Sequence, residues 1–165
     1  MPIGLLKDIA DRAPENTRLM GLDIGTKTIG LAVSDAGQGV ATPLRTIQRR
    51  KFRDDLKDLL KIAQDYEIGG YVLGWPLNMD GTLSASCDRV RSFADELAKY
   101  PQDQGMKQGS DLWIALFDER LSTDAVHNFL IKDVDMSRTK RAQVVDKLAA
   151  QLILQGALDF LRLAR

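Results

Sequence analysis

Residues 19–35, with the sequence LMGLDIGTKTIGLAVSD, constrain the fold more than any other part of the chain. They form two apolar runs joined by a short turn at 25–27. Such a pattern is typical of a β-hairpin, here with strands over 18–24 and 28–34. Asp23 interrupts the first run where a packing residue is expected. Because a carboxylate among apolar side chains is costly, Asp23 is a candidate functional residue.

Composition limits the class of protein and the kind of site. The chain has 165 residues, is 44% hydrophobic and is long enough for one domain with its own core. Lys plus Arg and Asp plus Glu number 23 each, so a nucleic-acid partner must be held by local basic patches. A single cysteine, Cys87, excludes an internal disulfide and a cysteine cluster, so a metal would have oxygen ligands. The sequence has neither a signal peptide nor a membrane-spanning run, which predicts a cytoplasmic protein without a membrane partner.

The order of the predicted elements indicates an α/β fold. Residues 1–17 are predicted to be an N-terminal extension, either a short accessory helix or a loosely docked tail. Residues 18–165 are predicted to form one domain. A third strand over 39–47, with Pro43 marking an edge, completes an antiparallel meander. Strands and helices then alternate, which favours parallel pairing. The further predictions are a helix from Phe52 to near Gly69, strands over 71–74 and 112–117, helices near 90–98, 125–130 and 144–158, and a loop over 132–141. The expected fold is a central mixed five-stranded sheet flanked by helices.

Three groups of carboxylates are predicted to meet at one edge of this sheet. Asp23 ends the first strand, and Asp118 and Glu119 directly follow the apolar run 112–117. Asp146 lies on the last helix beside small alanines that allow close approach to the sheet. Clustered carboxylates repel one another unless a hard divalent cation neutralises them. Two Mg²⁺ or Mn²⁺ ions held this way support phosphodiester hydrolysis, so the pattern indicates a nuclease. Taken alone, an acid at a strand end is more often a turn or capping residue, and Asp146 is explained equally well as a solvated charge.

Several basic residues are candidates for contact with nucleic acid. Lys27 lies in the turn after Asp23, and Arg120 follows the acids, where a structural salt bridge is the alternative role. Arg138, Lys140 and Arg141 precede Asp146 and are placed to attract a polyanion. Another basic run, Arg45 to Arg53, is interpreted as a solvated face, as charge runs usually are. His127 is read as a surface residue, and Trp75 and Trp113 as packing residues, with base stacking as an alternative for Trp75.

Four motifs across residues 21–155 resemble those of the bacterial YqgF family, also called RuvX. They are GLDIGTKTIGLAVSD at 21–35, GWPLNMDG at 74–81, DERLST at 118–123 and DKLAAQLILQ at 146–155. The resemblance implies an RNase H-like fold and a role in maturing the 5′ end of pre-16S rRNA. It also implies that Asp23, Glu119 or Asp118, and Asp146 bind metal. In the similar RuvC resolvases the strand matching 71–74 ends in an acid, whereas here it ends in Gly74, so Asp118 or Glu119 must supply that ligand.

Alternative functions remain open at the level of sequence. One is a Holliday junction resolvase, which acts on branched DNA and needs a homodimer to cut symmetrically. Another is a non-catalytic assembly factor that binds nucleic acid. The Asp-x-Gly-Thr pattern also suits the phosphate-binding hairpin of sugar kinases and actin-like ATPases, but those proteins need two such domains.

Overall fold

The fold is built on one mixed sheet of six strands. The computed structural model describes residues 3–99, 112–121 and 138–165. Its strands are β1 (Ile3–Leu5), β2 (Arg18–Ile24), β3 (Thr28–Ser34), β4 (Ala41–Gln48), β5 (Ile68–Trp75) and β6 (Trp113–Asp118). They lie in the order β1-β6-β5-β2-β3-β4. The predicted α/β class and mixed sheet are therefore confirmed.

The sheet has an antiparallel half and a parallel half. In the antiparallel half β2 pairs with β3 and β3 pairs with β4, so the predicted meander is present. β4 is an edge strand, as Pro43 indicated. In the other half β2, β5, β6 and β1 run parallel, which brings the carboxyl ends of these strands to one edge. Ligands in open α/β sheets bind at this edge.

Helices cover both faces of the sheet. They are α1 (Leu6–Ile9), α2 (Phe52–Asp65), α3 (Ala85–Leu97) and α4 (Arg138–Ala164), with short 3₁₀ turns at Ala10–Arg12 and Glu119–Leu121. The apolar side chains of α2 and α3 pack on one face. On the other face α4 packs with α1. Among the described residues, no helix combines the length and the apolar composition needed to cross a bilayer.

The predicted count of five strands is wrong because residues 3–5 add a sixth. β1 pairs in parallel with β6, with Ile3 opposite Ile114. The indole Nε1 of Trp113 donates a hydrogen bond of 2.9 Å to the carbonyl of Ile9. This N-terminal segment is therefore a strand and a one-turn helix docked on the sheet. Three residues are too few to show a strand period, so the pattern did not reveal β1.

Several predicted boundaries also differ from the structure, among them the end of the helix predicted from Phe52 and the start of the last helix. Helix α2 ends at Asp65 rather than near Gly69, because Glu67 takes the left-handed conformation (φ 54°) that ends a helix. Gly69 instead lies inside β5. The last helix begins at Arg138, inside the segment predicted to loop out. The helix predicted near 125–130, with His127, and residues 132–137 lie outside the described residues.

Candidate active site

Asp23 lies near the carboxyl end of β2, on the face of the sheet that α4 covers. Its neighbours Leu22 and Ile24 point into the core on the opposite face. Burial, and after it the negative charges of Glu119 and Asp146, together raise the pKa of Asp23 to about 7. The structure therefore brings these three predicted acids into one electrostatically coupled group.

Gly30 allows Asp146 to approach Asp23. Gly30 is the cross-strand partner of Asp23 on β3, and a Cβ atom built there would overlap the backbone carbonyl of Asp146. The absence of a side chain thus lets α4 lie against the hairpin. Thr28 Oγ1 donates a hydrogen bond to Asp146 Oδ2, which fixes the direction of that carboxylate. Sequence reasoning did not identify Thr28, since a threonine in a strand carries no distinctive signal.

Gly74 makes the corresponding space for Glu119 on the other side of Asp23. Leu22 pairs with Leu73, so Asp23 and Gly74 lie side by side on neighbouring strands. A Cβ atom at Gly74 would overlap Glu119 Oε1. The carboxylate of Glu119 therefore occupies the space that a side chain at the end of β5 would fill. Burial raises the pKa of Glu119, and the charge of Asp118 adds to the effect.

Asp118 is directed to a different partner. Arg120 binds it through Nη2 at 2.7 Å and through Nε at 3.0 Å to each carboxylate oxygen, and the Arg120 backbone N–H donates to Asp118 Oδ1 at 3.0 Å. These hydrogen bonds hold the pKa of Asp118 below its usual range. Arg120 Nη1 also donates to the carbonyl of Met79 at 3.4 Å. Arg120 thus makes the salt bridge that was its alternative role.

The donor set has the chemistry of a site for a hard divalent cation. Asp23, Glu119 and Asp146 supply only carboxylate oxygens, and their mutual repulsion favours a neutralising cation. Within the part of the chain that the structure describes, however, no group of three or more acidic, histidine or cysteine side chains is close enough to hold one ion. The residues therefore fit a metal in type and charge, but they are not in a coordinating arrangement.

The turn after Asp23 is anchored by the second basic run. Arg49 Nη1 donates to the carbonyl of Gly25 at 2.8 Å, and the Arg49 backbone N–H donates to the carbonyl of Lys27 at 2.8 Å. Asp55, in the first turns of α2, is fully buried and lies 3.5 Å from Arg49 Nε. It also accepts a hydrogen bond of 2.9 Å from the Arg50 backbone N–H. Arg49 is therefore a structural cation rather than a solvated one, and Lys27 is left exposed at the turn.

The remaining predicted residues are three basic residues of α4 and the two tryptophans. Arg138, Lys140 and Arg141 lie in the first turns of α4, before Asp146, and their side chains are outside the described part. Trp75 and Trp113 are both buried and pack as predicted.

The comparison with known proteins identifies the family. A family profile described as "RuvX: Holliday junction resolvase" matches residues 17–160. The chain belongs to the RuvX family. A relative from Phenylobacterium zucineum, named as a candidate pre-16S rRNA nuclease, is 50% identical over 157 residues, covering 95% of this chain and 96% of the relative. A relative from Rhodospirillum centenum with the same name is 49% identical over 162 residues, covering 98% of this chain and 84% of the relative.

A solved structure of a resolvase shares the fold of this RuvX chain. RuvC from T. thermophilus, in complex with a Holliday junction substrate, superposes with a TM-score of 0.55. The two chains are 11% identical, and the match covers 89% of this chain and 96% of RuvC. At this identity the likeness concerns the fold alone, and it confirms the RNase H-like class that the motifs implied.

Proposed function

We propose that this RuvX protein is a metal-dependent nuclease that processes the 5′ end of pre-16S rRNA during ribosome biogenesis. The names of its relatives support the substrate, since two of them share about half of their residues with it. The same role would place the protein in the cytoplasm. Family membership supports phosphodiester hydrolysis as the reaction.

The observation that carries this proposal is the coupled group of three acids. Asp23 is half-buried, and its pKa of about 7 reflects first this burial and then the negative charges of Glu119, after β6, and Asp146, on α4. A fold rarely retains such mutual repulsion unless the site binds a cation. We assign the catalytic and metal-binding roles to Asp23, Glu119 and Asp146, and we exclude Asp118 because Arg120 already binds its carboxylate.

In the proposed reaction Mg²⁺ or Mn²⁺, and by our expectation two ions, would be held by these three carboxylates. Such ions activate water and stabilise the leaving oxygen of a phosphodiester. Thr28 orients Asp146 through its hydroxyl hydrogen bond. Exposed Lys27 is proposed to bind a substrate phosphate near Asp23. Arg138, Lys140 and Arg141 are proposed to bind the backbone further along.

Cleavage of an RNA carrying the 5′ leader of pre-16S rRNA tests the proposal. The wild type is assayed with Mg²⁺ and with Mn²⁺ beside Asp23→Asn, Glu119→Gln and Asp146→Asn. We expect each variant to lose at least 100-fold in turnover while remaining folded. Asp118→Asn and the exposed Asp65→Asn serve as matched controls and should retain activity within tenfold. Metal-dependent cleavage by Asp23→Asn at the wild-type rate would disprove the assignment, and RNA binding by the wild type without turnover would indicate a non-catalytic assembly factor.

Resolution of four-way DNA junctions is the second candidate function. The description of the family profile favours it. A junction substrate in the same assay separates the two candidates, because a resolvase introduces paired symmetric nicks, whereas leader processing needs a single cut. Preferential cleavage of the junction would replace the rRNA proposal.

A further inference from the structure

A groove between α2 and α3 has a cationic edge that the catalytic proposal does not use. The groove has a volume of about 480 Å³, with Phe52 and Leu60 among its apolar residues. Arg53, Lys57 and Lys61 line it. These three cations repeat every four residues, so they lie on one side of α2 at intervals of about 6 Å.

No ion pair within the described residues neutralises the charge of these three cations. All three are exposed, and within the described residues none of them forms an ion pair. Neighbouring cations behave differently, since Arg50 pairs with Asp58 at 2.8 Å and Lys99 pairs with Glu96 at 2.7 Å. Glu96 is the acid that lines the groove, so its charge is already matched. The groove is therefore net positive.

The cationic edge begins next to the catalytic turn. The Arg49 backbone N–H donates a hydrogen bond to the carbonyl of Lys27. Two residues further on, exposed Lys51 directly precedes α2. Basic residues therefore continue from Lys27 through Lys51 to Arg53 and then along α2. A strand of nucleic acid that extends from the three acids along α2 would meet a cation at each turn of this helix.

We propose that the groove between α2 and α3 binds the phosphate backbone of a nucleic-acid strand where that strand extends beyond the three acids. The bases would lie against the apolar side chains of the groove, Phe52 and Leu60 among them. The inference rests on the proposed function for its ligand class and adds a second contact region to it. Regularly spaced, unpaired cations above an apolar floor match the charge and the stacking surface of a single strand.

Binding is measured in the full chain carrying Asp23→Asn, so that turnover does not consume the RNA. A fluorescent single-stranded RNA of about 25 nucleotides is titrated by anisotropy across a KCl series. We expect Arg53→Gln/Lys57→Gln/Lys61→Gln to raise Kd at least tenfold. The plot of log association constant against log salt concentration should become less steep by about 2. Each phosphate contact to a single strand contributes about 0.7 to this slope, and the variant loses three contacts. A short RNA of about four nucleotides reaches only the three acids. The proteins with and without the three α2 substitutions should therefore bind it equally.

A matched triple variant, Arg12→Gln/Arg18→Gln/Arg162→Gln, removes the same charge from other exposed positions and should change Kd less than twofold. The single variant Lys61→Glu repeats the test with less risk to folding, and circular dichroism verifies the helices. An unchanged salt slope in the α2 variants, or equal losses in both triple variants, would overturn the inference. Because binding needs no turnover, failure of the wild type to cleave RNA would reject the nuclease while leaving this result interpretable.

Discussion

At the scale of single residues, Asp23 makes the stability of the fold depend on pH. Its pKa rises from 3.8 to about 7 on folding, so the folded protein binds a proton more tightly than the unfolded chain. The free energy of unfolding should therefore fall as pH rises from about 4 to 7. Asp23→Asn removes this dependence. Without metal at pH 8 we expect the variant to be more stable than the wild type by about 1–4 kcal/mol, the upper value being the full shift at about 1.4 kcal/mol per unit.

Urea unfolding at pH 4 and pH 8 in the presence of EDTA measures this difference, which should nearly vanish at pH 4. Adding Mn²⁺ at pH 8 should stabilise the wild type and leave Asp23→Asn almost unchanged, because bound cations stabilise only the state that holds them. Equal stability of the two proteins at both pH values would contradict the electrostatic account of Asp23.

Gly74 is expected to be essential because Glu119 lies where its side chain would be. In Gly74→Ala the new Cβ would overlap the Glu119 carboxylate and lie 2.7 Å from Ile153 Cδ1. We expect a loss of about 1–3 kcal/mol in stability from overpacking and at least a tenfold loss in turnover from displacement of Glu119. Gly39→Ala is the control, since its Cβ would meet its nearest atom only at 4.0 Å. Wild-type turnover in Gly74→Ala would show that the position of Glu119 does not matter.

At the scale of elements, the start of α2 holds the β2–β3 hairpin that carries Asp23. Arg49 and buried Asp55 join the turn at 25–27 to the helix. Arg49→Gln leaves buried Asp55 without its charged partner, so we expect a loss of about 3 kcal/mol in the free energy of unfolding. Arg49→Gln/Asp55→Asn should recover part of it. A double-mutant cycle by urea unfolding gives the coupling energy, and purely additive losses would refute the pairing.

The same elements show what the sequence predicts and what it leaves out. The rule that acids at the carboxyl ends of parallel strands meet was sufficient to group Asp23 with Asp118 and Glu119, whereas Asp146 was added because small alanines beside it allow the last helix to approach the sheet. It did not separate Glu119 from Asp118, because that choice depends on the hydrogen bonds of Arg120.

Other features depend on tertiary contacts that have no local pattern. Arg49 resembles its solvated neighbours in sequence, and only the fold places it against Gly25 and Asp55. Likewise, β1 exists because β6 offers an edge for three residues to pair with.

At the scale of the whole molecule, one chain supplies all three acids of the proposed site. Asp23, Glu119 and Asp146 come from β2, the end of β6 and α4 of the same chain. If these acids carry out the proposed reaction, a single cut would not need the homodimer that a resolvase requires. We expect the rate of leader RNA cleavage per chain to stay constant when the protein is diluted through any dimer dissociation that light scattering detects. Activity per chain that falls in parallel with the dimer would instead mean that a second subunit contributes to the reaction, as paired cleavage of a four-way junction demands.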